Sequence, residues 1–394
     1  MPRLQILLVT VLLAITLTAC SGQDPVDVSP LGQTGTPDQR EDAVALLSQW
    51  FAAGKAQEAP DDAARSLSWI LRWWWKADPE ATRPEALTSH RPTVVFFVGQ
   101  NESFLWTVTD SGVEWARRPG REALGAAVDG VLADLGSPAG DYDREAALAL
   151  CDLLVGPALA TWAGGVELQL LADDVVWPAP LAALPDPRFD DGRPLLWHGP
   201  VLWLQDWAAF QVPGHHPRTV SRLLAAGDHG PHADLALGLA AQWPGDGVTA
   251  GIGDEARWIN VSANELRAFD AIHLATPAQC DGTGLVLGSR DIVPLSALAA
   301  TETSRPLVFL SSCGLTNSQA LTTALREARV RSVVMGHSTA DEAAAELSTA
   351  FYGYWTDGSA VADALRMAML DVSRQGRFKA PGCWGQYRVV VTGS

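Results

Sequence analysis

At 394 residues the chain is long enough for one large or two medium domains, and its 47% hydrophobic and 19% charged residues argue for a sizeable buried core and against disorder. Its 28 Lys and Arg stand against 45 Asp and Glu, a formal net charge of -17, which argues against a nucleic-acid partner because phosphate-backbone binding is electrostatic in origin. Five Cys, none in a CxxC pair, are too few for a disulfide scaffold and suggest no structural zinc; no spacing suggests a metal or organic cofactor.

Residues 1–19 read as a signal peptide. Arg3 supplies a short positive region, and Ile6 to Leu17 is apolar apart from Thr but too short to span a bilayer permanently. Leu17-Thr-Ala-Cys20 closes the segment and resembles a bacterial lipobox, which implies lipidation of Cys20 and a membrane anchor there. Ser21 follows Cys20 in place of the Asp that retains lipoproteins at an inner membrane, so in a cell with two membranes the outer one is expected. Loss of Arg3 with the signal leaves 27 basic against 45 acidic residues, a charge of -18. Residues 20–39, rich in Gly, Pro, Ser, Thr and Asp, read as a flexible tether, and the body is expected outside the cytoplasm.

From 40 to 90 the pattern is helical. Val44, Leu47 and Phe51 form one stripe, and a second helix is expected from Asp61 to Lys76. That second segment holds Trp73, Trp74 and Trp75 of the chain's 16 Trp. They are expected to cover a sheet or a domain joint; the alternative is contact with the anchoring membrane or a partner. From Thr93 the period becomes that of strands, with a β-meander over Thr93 to Val98, Phe104 to Thr109 and, after a turn at Asp110-Ser-Gly112, Val113 to Ala116. Helices are expected from Glu122 to Leu135 and from Asp143 to Ala160.

Apolar runs then recur at Val166 to Leu171, Leu223 to Ala226, Ala271 to Thr276, Pro306 to Cys313 and Arg331 to Gly336, alternating with helical patterns such as Ser318 to Ala328. Such alternation argues for an α/β fold with a mostly parallel sheet flanked by helices, whose chemistry lies beyond the carboxyl ends of the strands. There is no GxSxG, HExxH, P-loop or GxGxxG opening a helix. Gly282, Gly284 and Gly288 are expected to shape a hairpin. Cys313 stands out because it sits where an apolar strand meets a polar turn, a position suited to an exposed nucleophile.

The segments Ala271-Ile-His-Leu-Ala-Thr276, Gly284 to Leu298 and Leu307-Val-Phe-Leu-Ser-Ser-Cys313 together resemble the CHAT domain, a caspase- and separase-like peptidase fold. Upstream, Leu153 to Leu159, Leu168 to Asp174 and Pro180 to Leu184 extend the resemblance, as do Ala350-Phe-Tyr352, Gly358 to Ala368 and Pro381 to Gly393 downstream. It runs from Arg91 to Gly393 and implies a caspase-like sheet, preceded by the small meander and the helical segment. It also implies a catalytic Cys–His dyad with its Cys at Cys313. The family's usual His-x-Ala-Thr-His-Gly reads here His273-Leu-Ala-Thr-Pro277-Ala278, and Pro277 cannot accept a proton.

Two other histidines come into question. His273 lies four residues earlier, about 13 Å from the strand tip at ~3.3 Å per residue, and reads as a core histidine. His337 follows Ser332-Val-Val-Met-Gly336, expected to be a parallel strand beside that of Cys313 at about 4.8 Å, and so is the candidate for a relocated base. The family's loop geometry brings Cys280 toward Cys313, which implies a possible disulfide, with Cys151 and Cys383 as the remaining couple; four separate buried thiols are the alternative. By analogy with related peptidases Asp173 and Asp174 would recognise a basic side chain, the alternative being a capped turn.

The expectation is therefore a CHAT-like lipoprotein at the cell envelope whose degenerate site binds or regulates a protein or peptide. The alternatives are an active cysteine endopeptidase using Cys313 and His337, and a structural envelope protein that depends on its Trp-rich helices.

Overall fold

The computed structural model describes residues 37–52, 60–137, 142–172, 174–211, 222–227, 231–243, 247–252, 269–275, 284–287, 291–294, 307–311, 330, 332–336 and 340–391. Helices α1 (Pro37–Ala52) and α2 (Pro60–Trp73) come first, each opening on Pro, which the first turn tolerates because its N–H groups have no helical acceptor. Strands β1 (Thr93–Phe97), β2 (Glu102–Thr109) and β3 (Gly112–Pro119) follow as the antiparallel meander. Helix α3 (Arg121–Leu135) precedes α4 (Arg144–Leu159), whose first turn is capped by the Asp143 carboxylate accepting from the Ala146 N–H at 2.9 Å.

The chain continues through β4 (Leu168–Ala172), β5 (Val201–Leu204), β6 (Leu223–Gly227), α5 (Pro231–Gln242), β7 (Val248–Ile252) and β8 (Ala271–Ala275). A separate hairpin of β9 (Gly284–Leu287) and β10 (Asp291–Pro294) occupies the glycine-rich region, as expected. Then come β11 (Leu307–Ser311), β12 (Ser332–Gly336), α6 (Asp341–Thr356), α7 (Val361–Arg374) and β13 (Arg388–Val391). The expected helix from Ser318 to Ala328 lies outside the described residues.

All strands except the hairpin join one 11-stranded sheet in the order β3-β2-β1-β4-β5-β13-β12-β11-β8-β6-β7. The meander is therefore continuous with the main sheet, because β1 pairs in parallel with β4. Two parallel blocks meet where β13 runs antiparallel to β12: β1, β4, β5 and β13 point one way, and β6, β7, β8, β11 and β12 the other.

Burial on both faces explains why these strands read as unbroken apolar runs rather than alternating ones. On one face, Leu124, Val128, Leu150 and Leu154 of α3 and α4 pack with Val94, Phe96 and Leu170. On the other, Leu235, Leu347, Phe351 and Leu365 of α5, α6 and α7 cover Ala225, Phe309 and Val334. Helices α1 and α2 cover the meander with Leu47, Leu67 and Ile70 against Phe97, Phe104 and Trp106. Trp74 and Trp75 meet the edge of the Phe97 ring, and the Arg40 guanidinium stacks on Trp74 at 4.2 Å, so this aromatic run lies against the sheet.

Candidate functional site

The strands β8, β11 and β12 are adjacent, parallel and in register, so Ala275, Ser311 and Gly336 form one row at a single edge of the sheet. Residue β6 Gly227 extends the row, and the chain leaves β6 toward β7 on one side while β8 pairs on the other. Carboxyl ends at such a reversal form the crevice in which α/β sheets bind ligands. Gly336 brings the next strand in closely: a Cβ there would lie 2.6 Å from the Tyr387 Cα, so no larger residue fits. The Tyr387 hydroxyl hydrogen-bonds the Ser311 hydroxyl at 3.1 Å, tying the entry of β13 to the end of β11.

Cys313, Pro277, Cys280 and His337 lie outside the described residues, as do Asp173 and Cys20. In sequence, Pro277 and Cys313 stand two residues beyond Ala275 and Ser311, and His337 one beyond Gly336. His273 is at the middle of β8 and fully buried. Its ring stacks on Phe309 with centroids 4.7 Å apart, and Nδ1 is 3.2 Å from the Tyr352 hydroxyl, while Nε2 has no partner among the described residues. Burial pushes its pKa down to about 3, so the imidazole is neutral at physiological pH. Asp174 opens a short 3-10 turn after β4. Because β4 belongs to the opposed block, its carboxyl end lies at the other edge from Ala275, Ser311 and Gly336.

Cys151 and Cys383 are not joined by a disulfide, which corrects the expected couple and leaves the alternative of separate buried thiols for these two. The reason is topological: Cys151 lies on the buried side of α4 in the core on one face of the sheet, and Cys383 packs in the core beneath α6 and α7 on the other. Burial first, then the charges of Asp186 and Asp152, push the Cys151 thiol up to about 12, so it is inert. Among the described residues no group of three or more His, Cys, Asp or Glu could hold a metal, and no helix is long and apolar enough to cross a membrane.

Sequence reading missed three residues at this edge. Gln386, Tyr387 and Arg388 enter β13, and all are buried. The Arg388 guanidinium donates to the carbonyls of Trp177 and, at 2.9 Å, Pro178, and it lies 5.2 Å over the Trp203 ring. The available signal was Arg388 itself, a cation opening an otherwise apolar strand, Arg388-Val-Val-Val391.

A family model for the CHAT domain matches residues 144–394, more than half of the chain. None of the curated proteins compared with the chain matches it. The buried α/β sheet, the row of aligned carboxyl ends and this match together place the chain in the CHAT domain family, a caspase-like peptidase-type module.

Proposed function

We propose that the chain is a lipoprotein anchored through Cys20 outside the cytoplasm, and that its CHAT domain is a degenerate peptidase module that binds or regulates a protein or peptide. The observation that carries this reading is the aligned row at the ends of β8 and β11. In the family the dyad residues follow these two strand ends; here Cys313 follows β11, but Pro277 follows β8. Proline has no group that can take the thiol proton. His273 is no substitute, since its ring is enclosed between Phe309 and Tyr352 inside the core.

One observation favours a second reading. Gly336 is the register partner of Ser311, so the strand that leads into His337 is the immediate neighbour of the one that leads into Cys313. That arrangement supports a relocated dyad and an active cysteine endopeptidase.

A panel of fluorogenic peptides incubated with the purified full chain separates the two. The degenerate module hydrolyses none of them faster than Cys313→Ala does; turnover that disappears in both Cys313→Ala and His337→Ala establishes the peptidase instead. For the anchor, Cys20→Ser is expected to move the chain from the detergent to the aqueous phase, and unchanged partitioning would remove lipidation from the account.

A further inference from the structure

A small cavity opens at the edge just described, where the turn into β13 meets the start of β5. Its volume is about 20 Å³, above the ~10–15 Å³ that one water requires. Arg388, Arg366 and Gln386 line it together with Tyr387, Trp203 and Pro180, and no acidic residue is among its described walls. In a chain of net charge -17, two cations around one cavity with no carboxylate among its described walls call for a cause.

Arg388 is 4% exposed, and among the described residues it has no anionic partner. Two of a guanidinium's five N–H groups are accounted for by the carbonyls of Trp177 and Pro178. Arg366 is held by the carbonyls of Leu196 and Trp197, at 2.6 and 2.9 Å. Gln386 is buried, and its Nε2 has no hydrogen-bond partner among the described residues. A buried cation that has lost its hydration without gaining an anion is costly, and so is an unsatisfied buried amide. A planar oxyanion that accepted from a guanidinium fork and an amide at once would relieve both costs. Tyr387, which lines the cavity, also bonds Ser311 at the end of β11, so the cavity adjoins the row of strand ends.

We propose that Arg388, Arg366 and Gln386 form a carboxylate-binding subsite, which selects an acidic side chain or a free C-terminal carboxylate in the peptide that the edge holds. The peptide part of this inference rests on the function proposed above; the carboxylate part stands on the cavity alone. It reverses the charge preference implied for Asp173 and Asp174.

Binding to the full chain is measured by calorimetry at constant ionic strength with four probes: acetyl-Ala-Glu-Ala amide, acetyl-Ala-Gln-Ala free acid, acetyl-Ala-Gln-Ala amide and sodium acetate. One of the two charged peptides is expected to bind, the first indicating a side chain and the second a chain terminus, with the neutral peptide at least ten-fold weaker. Arg388→Met is expected to weaken the charged peptide by about ten- to a hundred-fold. Gln386→Leu, which keeps the buried cation, is expected to weaken it several-fold and serves where Arg388→Met does not fold. Acetate binding that depends on Arg388, with no peptide binding, keeps the subsite and removes the peptide-binding function. No carboxylate binding at all, or charged-peptide binding that survives Gln386→Leu and Arg388→Met, overturns the proposal.

Discussion

The hydroxyls of Tyr387 and Ser311 meet at 3.1 Å across β12, and the side-chain-free Gly336 lies between them. This bond couples the reversed strand β13 to the end of β11, the strand that leads into Cys313. The antiparallel junction of the two sheet blocks is thus fastened at the candidate site and not at a distant point.

Gly336 is the residue on which that fastening depends. Gly336→Ala places a methyl group 2.6 Å from the Tyr387 Cα and 2.7 Å from the Gln386 carbonyl oxygen, both backbone atoms that cannot rotate away. Forcing an extra carbon into such a contact costs about 1–3 kcal/mol. The urea midpoint is expected to fall accordingly; a variant within ~0.5 kcal/mol of the wild type would show that the approach is looser than described.

The neutral His273 makes folding pH-dependent. Its pKa is about 3 when folded against 6.5 for the free side chain, so between those values the unfolded chain binds the proton that the folded chain refuses. Stability attributable to His273 is therefore highest above pH ~6.5 and declines as pH falls toward 3, by about 2 kcal/mol between pH 6.5 and 5. His273→Gln is expected to be less stable at pH 7, since it loses the stacking on Phe309, but to lose less stability on acidification. Parallel stability-against-pH curves for the two proteins would contradict the buried, neutral assignment.

Much of this was legible in the sequence, and the reasons for the rest are physical. The runs Thr93 to Val98, Ala271 to Thr276 and Arg331 to Gly336 announce strands because a sheet covered on both faces favours apolar residues on both sides of each strand. Short strands leave a weaker trace. The four residues Val201–Leu204 and the Val248–Ile252 strand, with Thr249 and Gly251 inside it, did not stand out. Strand direction is not encoded in apolar periodicity at all, so the reversal at β13 and the opposed edge of Asp174 emerged only from pairing. Arg388 is opaque for a related reason: a basic residue at the start of a strand ordinarily reads as solvated, and its burial results from Trp177 and Pro178, more than two hundred residues earlier.

The helical cover of the meander is joined by a polar contact inside an apolar layer. The Trp106 indole N–H donates to the Ser66 hydroxyl at 3.0 Å, and Ser66 itself donates to the Ala63 carbonyl. A double-mutant cycle of Trp106→Phe and Ser66→Ala is expected to give a coupling energy of about 1 kcal/mol. A coupling near zero would mean that α2 is held on β2 by apolar packing alone.

Thiol reactivity divides the cysteines. Cys151 and Cys383 are buried on opposite faces of the sheet, so neither is expected to be alkylated in the folded chain at pH 8, and both are expected to react once it is denatured. Rapid modification of either in native conditions, read by mass spectrometry of the peptides, would contradict the packing of α4 or of the turn at Pro381–Cys383.

With those two silent, the rate of Cys313 alkylation as a function of pH, followed with and without reductant, tests the degenerate-site reading most directly. Without a histidine at residue 277, the thiol is expected to label slowly, with an apparent pKa at or above the free value of ~8.5, or to label only after reduction. Fast labelling with a pKa well below that value, abolished by His337→Ala, would contradict it and establish an activated nucleophile at the end of β11.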